Sequence, residues 1–222
     1  MAMRDMTARW GPTLGLVGAA AIGLASLVTA VFYTGTQGEA FSPLNHWISE
    51  LGEVGVSRLA AVFNIGLIVG GLAYALFMIA FASTRRGFLP WLAAAIGAVA
   101  GIAGTLVGVF PMDAPTIGIH RLVALTFFNL GWISVGLASL DIWRRPESRF
   151  SRWLPWLGVL TVIIFLAFLA VYLPVLTYTG TDAGRQTFSL ATTLEWLVLA
   201  GILAWTLFAA LTWWRSGRRT NA

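Results

Sequence analysis

The sequence predicts an all-α bundle of six membrane-spanning helices, built as three tandem helical hairpins, with a short amphipathic helix in the first loop. Three observations carry that prediction. Six apolar runs have spanning length, arginine is distributed to one side of them, and a weak repeat relates successive helix pairs.

The composition leaves little alternative to lipid as solvent. Hydrophobic residues make up 58% of the chain and charged residues 10%, with a mean hydropathy of +0.81, whereas a soluble domain carries about 25% charge. Residues 1–222 are therefore read as one integral membrane domain. The chain has no cysteine, which excludes disulfides, thiolate metal sites, thiol catalysis and covalent haem attachment. All fourteen basic residues are arginine, and the net charge is +5. They sit in short loops between apolar runs, so their partner is the membrane surface and not nucleic acid.

The apolar runs occupy residues 11–34, 58–82, 89–110, 120–141, 153–178 and 189–214. Each reaches the roughly 20 residues that a hydrocarbon core of about 30 Å requires. None alternates over about ten residues as a barrel strand does. The first run is 24 residues long, against about 7–15 for the apolar stretch of a cleaved signal peptide, so it reads as a spanning helix.

Arginine placement sets the orientation. Arg4, Arg9, Arg85, Arg86, Arg144, Arg145, Arg149, Arg152, Arg215, Arg218 and Arg219 fall on one side, and only Arg58, Arg121 and Arg185 on the other. Both termini are expected in the cytoplasm of a bacterial or archaeal cell, the chain lying in its inner membrane. Trp10, Trp91, Trp143, Trp153, Trp156, Trp213 and Trp214 fall at the same ends, where amphipathic rings sit at headgroup level.

The repeat has three parts. The outward-running helices open on Arg9-Trp10-Gly11-Pro12, Phe88-Leu89-Pro90-Trp91 and Arg152-Trp153-Leu154-Pro155-Trp156, each placing proline in a first turn, where its missing N–H costs nothing. The returning helices share Phe63-Asn64-Ile65-Gly66 and Phe128-Asn129-Leu130-Gly131, with Leu194-Glu195-Trp196 in the third place. Tyr33-Thr34-Gly35-Thr36 recurs as Tyr178-Thr179-Gly180-Thr181. Tyr33 to Asn64 spans 31 residues and Tyr178 to Glu195 only 17, so the first hairpin carries an outer insert of 14 residues.

That insert runs from Phe41 to Gly55. Ser42 suits an N-cap and Pro43 a first helical position. Leu44, Trp47, Ile48 and Leu51 follow the spacing of one apolar helical face, with His46, Glu50 and Glu53 on another. An amphipathic helix lying on the outer membrane face is expected over Ser42–Gly55.

Depth along the returning helices defines a polar layer. At 1.5 Å per residue, Asn64 lies about 9 Å past Arg58, Asn129 about 13 Å past His120, and Glu195 about 9 Å past Ser189. A carboxylate there costs roughly 2.5–3.5 kcal/mol on insertion scales, and such residues usually mark function. Glu195 is expected to face the bundle interior, with Asn64 and Asn129 as partners and Thr105, Tyr172 and Thr192 nearby. In the third helix, Gly97, Gly101, Gly104 and Gly108 form a stripe that lets backbones approach closely.

The candidate ligand-binding residues are His46, Ser49, Glu50, Asn64, Asp113, His120, Arg121, Asn129 and Glu195. Glu50, His120 and Glu195 are the candidates for any chemistry. His46, His120 and Asp113 make a weak zinc set, because no compact H-E-x-x-H signature occurs. Ser49 lacks a nucleophile elbow, and a haem held by both histidines is disfavoured because His46 lies in a loop and not in the bundle core. No cofactor is predicted.

Ile48-Ser49-Glu50-Leu51-Gly52, followed by Phe63-Asn64 and a glycine-rich helix, resembles the prokaryotic membrane family catalogued as domain of unknown function 998. So does Gly108-Val109-Phe110-Pro111 with His120 opening the next helix. The resemblance covers residues 11–214. The family is similar in plan to the DRAM-like and Frag-like six-helix proteins, some of them linked to lipid remodelling or autophagy. It implies a six-helix membrane fold and no particular reaction, and it adds weight to Ser49, Glu50, Asn64, Asp113 and His120.

The function expected is binding or processing of a lipid-like or small amphipathic molecule in an outward-facing polar pocket. The alternatives are a proton-coupled carrier with Glu195 as the coupling group, and a structural or assembly protein without chemistry.

Overall fold

The structure, a computed structural model, describes residues 2–113, 115–177 and 186–219. Six long helices carry the fold: α1 (Ala2–Val31), α2 (Ala60–Ser83), α3 (Phe88–Val109), α4 (Ile117–Arg144), α5 (Leu154–Thr177) and α6 (Leu190–Arg219). Each contains a stretch long and apolar enough to cross a membrane, and the chain is a multi-pass integral membrane protein. Consecutive helices are antiparallel neighbours, joined by short connections except for residues 32–59 between α1 and α2. Each packs against the next, and α6 closes against α1, so the helices form a ring in chain order.

The seams of the ring differ in chemistry. Glycine holds α1, α2 and α3 together. A Cβ at Gly71 would lie 2.5 Å from the Gly101 carbonyl oxygen, and one at Gly101 would lie 2.7 Å from that of Gly71, so only hydrogen fits between the backbones. Gly18 and Gly70 pair similarly across α1 and α2. Aromatic rings fill the other side. Phe128 meets Phe168 at 4.5 Å between centroids, Phe165 lies under Gly131, and the Trp205 indole N–H donates to Ser139 at 3.0 Å.

Two features of the arginine-rich end differ from the sequence expectation. α1 begins at Ala2, so Pro12 lies inside it and not in its first turn. The preceding residues are mostly good helix formers that extend the helix outward. Trp213 is buried against Phe77 and Phe150, while the other six belt tryptophans are exposed as headgroup-level rings should be. The segment Tyr178-Thr179-Gly180-Thr181, with Asp182 and Arg185, lies outside the described residues.

Candidate functional site

The site lies where loop 1, residues 32–59, folds back into the open end of the ring. The loop starts with a tight reversal, in which the Gly35 N–H donates to the Glu39 carbonyl at 2.9 Å, and Gly38 supplies a positive φ of 80°. Tyr33, Leu51 and Phe63 then form a small apolar core beneath it.

The amphipathic helix expected over Ser42–Gly55 is absent. One turn closes at Ser42–His46, Trp47 is extended, and only a 3₁₀ turn, Ile48–Gly52, follows. The reason is competition for amide hydrogens. The Trp47 N–H donates to Glu50 Oε1 at 2.8 Å, and the Ile48 N–H donates to Glu195 Oε2 at 2.8 Å. Two carboxylates take the donors that a continuing helix would need. The loop is therefore a plug in the bundle mouth, with His46, Glu50 and Leu51 buried.

Most of the cross-links from the plug reach the start of α6. Leu44 and His46 accept through their carbonyls from the Ser189 N–H at 2.6 Å and the Trp196 indole at 3.3 Å. Asn45 donates to the Gln186 carbonyl at 2.9 Å. From α2, Asn64 Nδ2 donates to the Gly52 carbonyl at 2.9 Å. From the α3–α4 connection, Asp113 accepts the Val54 N–H at 3.0 Å, and Met112 sulfur accepts from Ser49 at 3.2 Å.

Seven of the nine candidate residues thus gather at this end. His46 packs edge-on against Tyr33 and at a tilt against Phe41, with Nε2 3.8 Å from Glu39. Glu50 also accepts from the Tyr33 hydroxyl at 3.4 Å. His120, in the first turn of α4, is fixed by its Nδ1, 2.8 Å from the Phe110 carbonyl. Asn129 does not join them. It is exposed and donates to Leu125 of its own helix at 2.8 Å, because it lies one position past buried Phe128 on a face turned outward. Arg121 is likewise exposed, one position past buried His120. Glu195 is held by loop backbone and not by the two asparagines. The zinc grouping is not assembled: among the described residues no three His, Asp or Glu side chains come together to hold a metal.

Below the plug, α1, α2, α3, α4 and α6 border a partly open cavity of about 110 Å³. Its lining is sharply divided. Ser49, His120 and Glu195 mark the end under loop 1, and small or apolar groups such as Gly70, Gly104, Phe128 and Leu199 line the shaft, with Tyr74 and Thr206 at its far end. It follows α6 from Glu195 to Thr206, about 16 Å at 1.5 Å per residue. This size is well below the roughly 300–1,000 Å³ of a drug-sized pocket, which suits one narrow chain. Glu195 is 7% exposed, and its second carboxylate oxygen has no hydrogen-bond partner among the described residues.

A second polar cluster escaped the sequence reading. Arg85, counted there with the surface belt, is buried at the arginine-rich end. It pairs through Nε with Asp141, donates to the Asp141 and Arg145 carbonyls at 3.1 and 2.7 Å, and lies 3.4 Å from Glu147. The signal was Asp141 itself, an acid ending an apolar run and needing a cation. This cluster ties the α2–α3 loop to the end of α4, and Glu147 also borders a surface cavity with Trp143, Arg152 and Trp156.

No curated protein and no solved structure matches the chain. The model of the family described as "Protein of unknown function (DUF998)" matches residues 19–212, which span the whole plug and all of the cavity lining but Gly18, and the chain belongs to that family.

Proposed function

We propose that the protein holds a single-chain amphiphile, with the chain in the axial cavity and the head against Ser49, His120 and Glu195 beneath loop 1. The observation that carries this reading is the division of the cavity: Ser49, His120 and Glu195 gather at one end, and the rest of the lining is small or apolar apart from the Tyr74 and Thr206 hydroxyl groups. A water-filled passage would need polar groups along its length, but Phe77, Phe81, Trp205 and Trp213 close the far end, each 3% exposed or less. That aromatic stopper argues for holding a molecule over conducting one. The arginine asymmetry supports an outward orientation for the plug, with both termini in the cytoplasm of a bacterium or archaeon.

The test is native mass spectrometry of the purified protein beside a Gly104→Leu variant. A Cβ at Gly104 meets only Phe127, at an ordinary 3.7 Å, so a leucine fits and fills the shaft. The expected result is a co-purified single-chain species on the wild type that is lost from the variant. A bare wild-type mass, or an adduct indifferent to the substitution, would overturn the reading. Reconstituted flux that disappears in Glu195→Gln would replace it with a carrier.

A further inference from the structure

The polar end of the cavity specifies its head group. Three groups line that end, and each is left as a hydrogen-bond acceptor. His120 Nδ1 lies 2.8 Å from the Phe110 carbonyl. A carbonyl only accepts, so Nδ1 carries the proton and Nε2 is the acceptor. The Ser49 hydroxyl donates to the Met112 sulfur, which leaves its oxygen lone pairs. Glu195 Oε2 receives the Ile48 N–H, while Oε1 is unmatched among the described residues. Glu195 is more than nine-tenths buried and lines the cavity.

The electrostatic surroundings point the same way. Glu50 lies within electrostatic range of Glu195 and Arg121 within range of His120, so two carboxyl groups and one exposed guanidinium bear on the head position. Among the described residues no arginine lines the cavity. Arg58 is exposed, and Arg121, next to His120 in sequence, is exposed as well. An anionic head would lie against Glu195 with no guanidinium in the lining to pair its charge, which is costly for a buried charge.

We propose that the cavity selects a single-chain primary amine, bound as the ammonium. Three N–H donors and no acceptor match the acceptors on Ser49, His120 and Glu195, and the positive charge is paired with Glu195. This assignment rests on the axial cavity being the ligand site proposed above.

The experiment compares decylamine, decanol and decanoate as ligands of the purified protein, read by thermal stability and titration. The wild type should bind decylamine at least tenfold more tightly than decanoate, with decanol between. Glu195→Gln keeps an oxygen for the Ile48 N–H, so the plug stays seated. It should reduce decylamine to the level of decanol and leave decanol unchanged. Gly104→Leu should abolish all three. Decanoate binding the wild type as tightly as decylamine overturns the head assignment, while loss of all three in Gly104→Leu keeps the cavity reading. Failure of all three ligands to bind the wild type overturns both. The wild-type series decides the head group by itself, whatever the yield of the variants.

Discussion

Replacing Glu195 with leucine should separate two quantities that usually fall together. The Ile48 N–H donates to Glu195 at 2.8 Å, and the substitution leaves that amide without an acceptor. A buried orphan of this kind costs about 1–3 kcal/mol, borne locally by the loop 1 plug. Against this, removing a carboxylate from membrane depth recovers roughly 2.5–3.5 kcal/mol on insertion scales. Global stability should therefore hold or rise, while loop 1 opens more often. At about 1.4 kcal/mol per decade, the local term corresponds to a roughly 5- to 150-fold faster amide exchange in peptides covering residues 46–53. The assay is hydrogen–deuterium exchange of those peptides beside thermal denaturation of the same sample. If global stability drops with unchanged loop protection, Glu195 is a structural group and not a residue kept at the cavity against stability.

Three further predictions test the rest of the framework. Arg85→Met strands Asp141, which is 1% exposed, and should cost about 3–5 kcal/mol in a denaturation experiment; Arg85→Met with Asp141→Leu should cost clearly less than the two single changes together. Gly101→Leu should lower stability by at least about 1–3 kcal/mol, because its Cβ would press within 2.7 Å of the Gly71 carbonyl oxygen. Additivity in the first case, or a neutral outcome in the second, would contradict the packing described. Asn64→Leu removes the hydrogen bond to the buried Gly52 carbonyl and should cost about 1–3 kcal/mol, measured as a rise in loop 1 exchange with global unfolding altered less.

The helices were legible because hydropathy and length suffice to find them, and the glycine stripe because close backbone approach demands hydrogen at Gly101 and Gly108, and the Ser134 and Met78 side chains leave room only for hydrogen at Gly97. What periodicity misled about was the chain between helices. Leu44, Trp47, Ile48 and Leu51 have helical spacing, yet the helix is broken at Trp47 by two carboxylates. One of them, Glu195, lies 147 positions away from the amide it captures. No local pattern contains that competition. The repeat Phe63-Asn64 and Phe128-Asn129 failed in a similar way. Both phenylalanines are buried, but a residue one step along is turned by about 100°, and its burial depends on what stands beside that face. Asn64 meets the plug, and Asn129 has no counterpart insert to meet. Glu195 was found for the right physical reason, the expense of an acid in hydrocarbon, and the same reason applied to Asp141 finds its partner Arg85.

The cavity itself is the least expected feature, since the neighbouring seams show that this chain can bring helices into backbone contact. Gly104 belongs to the same stripe as Gly101 and Gly108, yet its Cβ position faces open space with only Phe127 in range. An apolar void costs about 24 cal/mol per Å³, so 110 Å³ left empty would cost about 2.6 kcal/mol. A single larger side chain at Gly104 would remove much of that cost without displacing backbone. Gly104→Leu should then raise the stability of protein stripped of co-bound amphiphile by about 1–2 kcal/mol, measured by denaturation after extensive detergent exchange. The gain should vanish when the wild type is saturated with its ligand, because the occupant fills the same space. A Gly104→Leu protein that is less stable than the stripped wild type would mean that the shaft is packing imperfection that leucine cannot enter, and the case for a built chain site would fall with it.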